Sequence, residues 1–166
     1  PALPMFAVDD LGASYMVLTG GVSIAKGLGF ALSSPIWAKF VEKMHVLKVA
    51  GLVFLLVGFF PALLACSVAG IAWFYFAYFL YGVGQGGSHL VWHLGGTIFA
   101  GKEESSRYTG VGLAMLGLRG AVAPPLGGWL AVALGPIEVL ATGGLLCIYS
   151  GARLVRSRHA KTEAAL

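Results

Sequence analysis

Residues 81–100 read YGVGQGGSHLVWHLGGTIFA. The run is apolar enough to lie in a bilayer, yet Gln85, Ser88, His89 and His93 interrupt it. Polar groups enter a membrane where a cavity, a partner or a ligand receives them. The stretch is therefore read as the lining of a polar path, and the rest of the chain as the body around it.

Composition sets the class. Of 166 residues, 58% are hydrophobic and 11% charged. Soluble domains carry about 25% charged residues, so the shortfall places this chain in a membrane. Its apolar runs are long and continuous, whereas barrel strands are short and alternating. The fold class is all-α, a polytopic transmembrane bundle of about five helices. The 25 glycines agree, because small residues let membrane helices approach closely. Cys66 and Cys147 make no disulfide framework and read as small apolar residues. The formal charge of +4 is read as a record of orientation and not as a nucleic-acid surface.

Residues 1–13 contain two prolines and the pair Asp9, Asp10, and read as an acidic extracellular or periplasmic loop. Transmembrane spans are expected at 14–38, 46–66, 71–100, 108–134 and 137–154, within a membrane region of 14–155. KFVEKMHVLK (39–48) and GKEESSR (101–107) read as polar loops, and 156–166 as a basic tail. Lys39, Lys43, Lys48, Lys102, Arg107, Arg153, Arg156, Arg158 and Lys161 then fall on one side. Asp9, Asp10 and Glu138 fall on the other. The positive-inside rule makes the basic side, with the C-terminus, cytoplasmic, in a cell (inner or plasma) membrane. The chain opens on Pro1 without a signal pattern, which reads as a fragment with at least one span upstream.

Three stretches carry a resemblance. Ser34-Pro35-Ile36-Trp37-Ala38-Lys39 is similar to a loop motif G-x-x-x-D-R/K, with Ser34 in place of Gly and Ala38 in place of Asp. Tyr81-Gly82-Val83-Gly84-Gln85-Gly86 resembles the R-x-x-x-G-x-G run of a fourth helix, without the Arg. Ala123-Pro124-Pro125-Leu126-Gly127-Gly128 resembles G-P-x-x-G-G on the next helix. These are motifs of the major facilitator superfamily. The resemblance implies the last five helices of the C-terminal half, the eighth to twelfth, with an N-terminal half missing. It implies a secondary active transporter that moves a small solute by alternating access, with lipid and solute as partners. It implies no enzyme activity and no cofactor.

Between their ends the five spans hold Lys26, His89, His93 and Arg119 but no Asp or Glu, so the solute is expected to be an anion. A charge at mid-bilayer costs roughly 2.5–3.5 kcal/mol on insertion scales. Lys26 either lines the cavity, or pairs with a carboxylate elsewhere, or snorkels. Arg119, placed at a matching depth, either forks onto a carboxylate or phosphate or makes a structural contact to backbone carbonyls or an absent acid. His89 and His93 lie one turn apart on one face. With Gln85 and Ser88 they read as a polar wall against the solute, as a metal or haem pair in a membrane enzyme, or as satisfied histidines. No further ligand lies in a span, and no metal is assigned. A non-transporting scaffold is the remaining alternative. Trp92 reads as core or lipid-facing. Gly82, Gly84, Gly86, Gly87, Pro124, Pro125, Gly127 and Gly128 read as packing or hinge positions.

Overall fold

The computed structural model describes residues 14–100 and 105–157, with residues 8 and 12. The acidic segment at Asp9 and Asp10, residues 101–104 of the expected 101–107 loop and the tail beyond Ser157 lie outside the described residues, while 105–107 of that loop are already helix. The described residues form five helices: α1 Tyr15–Lys43, α2 Val46–Ala69, α3 Ile71–Ala100, α4 Ser105–Leu134 and α5 Pro136–Arg156. No strand occurs among the described residues, as the apolar patterning requires.

Helix ends follow local chemistry. Ser14 caps α1, its Oγ accepting from the Val17 N–H at 3.3 Å. His45 caps α2 through Nδ1, which accepts from the Leu47 N–H at 3.2 Å. Met44, extended at φ −133°, is the break between them. The 39–48 loop expected from the sequence is therefore mostly helix, with α1 running through Lys39 and Glu42 to Lys43. Those residues are good helix formers; they end the apolar span without ending the helix. Gly135, at φ 106°, turns the chain into Pro136 at the first position of α5. Glu138 in the first turn of α5 and Arg153 and Arg156 in the last complement its dipole.

Among the described residues, α1, α2 and α5 are long and apolar enough to cross a membrane. The 30 residues of α3 extend about 45 Å, more than a bilayer core. This helix organises the bundle. It packs on α1, α2 and α4, while α5 lies against α2.

Glycines set the spacing. On α1, Gly21, Ala25, Gly29, Ser33 and Trp37 are buried at every fourth residue. They face Phe74, Tyr78, Phe79, Gly82 and Gly86 of α3. A Cβ on Gly29 would collide with the Phe79 carbonyl oxygen, and one on Gly82 with that of Lys26. The α2–α5 pair repeats the device. Gly51 meets Gly151 and Gly58 meets Gly144, each Cβ position on α2 lying 3.0 Å from the partner's carbonyl oxygen. Trp37 anchors the other end of the α1–α3 contact, its Nε1–H donating to the Val83 carbonyl at 2.7 Å.

Two glycines of α1 provide a matched test. Gly29→Ala destabilises the detergent-solubilised protein by about 1–3 kcal/mol through overpacking. Gly27, where an added Cβ meets nothing within 4 Å, tolerates Ala to within about 0.5 kcal/mol. Differential scanning fluorimetry reads both; equal melting temperatures would refute the close approach.

Candidate functional site

Helix α3 presents three faces. Gly82 and Gly86 meet α1, and Gly84 and Gly87 meet Val57 and Val53 of α2. At 100° per residue, Tyr81, Gln85, Ser88 and Trp92 fall between these faces, with the Tyr81 ring 4.9 Å from that of Phe60 on α2. The spacing of four, three and four is one helical stripe. Tyr81, Gln85 and Ser88 are half-buried and Trp92 is exposed. Gln85 Nε2–H donates to Tyr81 Oη at 3.0 Å, which fixes the amide but leaves its carbonyl oxygen available.

Arg119 closes the stripe from α4. Its Cζ lies 5.6 Å from the Trp92 ring centroid, within the range of a cation–π contact. The meeting follows from helix geometry. α3 and α4 run antiparallel, with Gly96 beside Thr109. Long helical side chains lean toward their own N-terminus, so Trp92 and Arg119 lean toward each other. Sequence reading offered backbone carbonyls or a distant acid as the structural partner of Arg119; the partner found is an aromatic face. Trp92, expected in the core or facing lipid, is exposed and lies on the same stripe as Ser88 and Gln85. Its periodicity with Ser88 and Gln85 was the available signal.

Lys26 stands elsewhere. It is half-buried at the start of the regular part of α1, directly after a π turn at Gly21–Ala25, and its backbone packs on Gly82. Counting back from the Gly96–Thr109 contact, the Arg119 backbone is level with about residue 86 of α3. That is one turn beyond Gly82, and the guanidinium leans further still. The two cations are not at one depth. Among the described residues neither has a charged partner.

His89 and His93 lie on the α1 side of α3, both exposed. Their ring centroids are 6.0 Å apart. His89 packs edge-on to Phe30 of α1 at 5.2 Å, so an aromatic contact already occupies one side of it. Among the described residues, no group of three His, Cys, Asp or Glu is placed to hold a metal ion.

The glycine-rich positions divide. Gly82, Gly84, Gly86 and Gly87 are buried against neighbours. Pro124 and Pro125 are exposed inside an unbroken α4, and a Cβ on Gly127 would meet nothing within 4 Å. Gly128 is half-buried. A cavity of about 360 Å³ lies between α2 and α5, lined by Gly58, Pro61, Leu64, Leu140, Gly144 and Ile148 among others. Its lining is apolar and includes none of the polar residues singled out from the sequence, so it is not the chemical site.

Packed, largely apolar helices, three of them long and apolar enough to cross a membrane, fit an integral membrane protein. The model of the Major Facilitator Superfamily matches residues 1–165, and the chain belongs to that family of transporters. No curated protein and no solved structure matches it.

Water access to the stripe is measurable. With Cys66 and Cys147 replaced by Ala, Ser88→Cys reacts with a membrane-impermeant methanethiosulfonate. Ala77→Cys, in the core against Phe74 and Tyr78, reacts more slowly by at least an order of magnitude. Equally slow reaction at both positions would show the stripe to be sealed.

Proposed function

We propose that the chain forms part of a secondary active transporter that carries a small anionic solute by alternating access. The observation that carries this reading is the charge pattern of the spans. Lys26, Arg119, His89 and His93 lie within them, while the helical acids Glu42 and Glu138 sit at the ends of α1 and α5. A cavity that takes its charge from these helices is electropositive. Arg119 supplies in-plane donors suited to an oxyanion, and Gln85 and Ser88 lie on the same stripe to orient it. Lys26 adds a second cation at a different depth, more than one turn from Arg119 along the bundle, and His89 and His93 border the site on the α1 side.

The five helices are assigned to the second half of such a carrier, the eighth to twelfth, with a partner half forming the opposite wall. The outer surface of α4 supports this, since Leu113, Met115, Leu118, Leu126 and Trp129 are all exposed. Lys39, Lys43 and Lys48 share an end of the bundle with Arg153 and Arg156; that end is assigned to the cytoplasm, in a cell membrane. Solute exchange or a proton gradient supplies the energy, as the chain contains no nucleotide-binding motif.

The test uses the full-length carrier in proteoliposomes with radiolabelled lactate, benzoate and inorganic phosphate. Arg119→Ala removes a charge-assisted bond worth about 1.5–3 kcal/mol, so uptake efficiency for the transported anion falls at least about tenfold. Lys26→Ala lowers it as well. Undiminished uptake of every anion by both variants would remove the proposed role.

A further inference from the structure

We propose that Trp92 is a positioning residue for Arg119, holding the guanidinium flat so that its edge meets the solute. The inference rests on the anion reading above and gives Trp92 a role in that site. A guanidinium carries its five N–H donors in its plane and none on its faces. The Arg119 Cζ lies 5.6 Å from the Trp92 ring centroid; a guanidinium laid flat on the indole there uses a face for the contact and keeps the edge donors for the solute. Among the described residues no carboxylate takes them. Trp92 stands one turn from Ser88 and two from Gln85 on the same stripe, so the freed edge is presented beside the other polar groups. A flexible Arg would lose rotamer freedom each time solute bound. Against an indole, part of that loss is met before binding. The contact also joins α3 to α4, so the two walls meet the solute in one register.

Two readouts separate positioning from mere packing. The first is modification of Arg119 by phenylglyoxal in the full-length protein, followed at that residue by peptide mass spectrometry. Trp92→Leu frees the guanidinium and speeds modification roughly three- to tenfold, with Trp92→Phe in between, in line with a cation–π contact. Trp92→Met, which keeps bulk without a π face, behaves as Leu does and serves if the Leu variant fails to fold. The second is uptake of lactate, benzoate and phosphate. Trp92→Leu raises KM for the transported anion with little change in kcat, Trp92→Phe recovers part of the loss, and Trp92→Leu adds nothing in an Arg119→Ala background. Equal modification rates in wild type, Phe, Leu and Met variants overturn the proposal even if Arg119→Ala abolishes uptake. Faster modification together with unaltered uptake in Arg119→Ala upholds the stacking and sinks the anion reading instead.

Discussion

Where Gly29 meets the Phe79 carbonyl and Gly82 meets that of Lys26, α1 and α3 touch backbone to backbone. In lipid there is no hydrophobic drive between helices, so close van der Waals contact between small residues carries the association. The contact also fixes the rotation of α3. Each residue of slip would turn the helix by about 100°. With Gly82 and Gly86 held on α1, and Gly84 and Gly87 held on α2, the sector between carries Gln85, Ser88 and Trp92, with Tyr81 at its α2 edge against Phe60. The polar stripe faces where it does because the glycines beside it permit no other rotation.

The remaining helices are held unequally. α2 and α5 form a second glycine-lined pair, Gly51 on Gly151 and Gly58 on Gly144, whose spacings of seven residues match in antiparallel register. α4 has no such seam: its Pro124, Pro125 and Gly127 lie open. What ties it to α3 includes Gly96 beside Thr109 and Arg119 over Trp92. It also packs on α5, and much of its surface is large exposed apolar side chains.

The helical class was readable in the sequence because length and hydropathy suffice for it. What escaped had physical causes. Lys39, Glu42 and Lys43 mark the end of an apolar span, but charge does not break a helix, so α1 continues to the extended Met44. The π turn at Gly21–Ala25 leaves no compositional mark, since it is a change of hydrogen-bond register. Gln85 and Ser88 could be placed on one stripe by counting. That Arg119 would lean onto Trp92 could not be counted, because it depends on antiparallel register across two helices. For the same reason the depths of Lys26 and Arg119, judged equal from span midpoints, differ by a turn or more.

The partner of Arg119 also bears on why the chain keeps it. Placing an arginine at mid-bilayer costs roughly 2.5–3.5 kcal/mol on insertion scales. A cation–π contact at a partly exposed site contributes about 0.5–1 kcal/mol, and about 2 when desolvated. The indole therefore offsets only part of the cost. Local carboxylates do not make up the difference, because among the described residues Arg119 has none within reach. Its edge donors are left to acceptors beyond these carboxylates, and on the reading proposed above a bound oxyanion is one of them. An arginine held by an aromatic ring and by no carboxylate is, on that reading, suited to a partner that comes and goes.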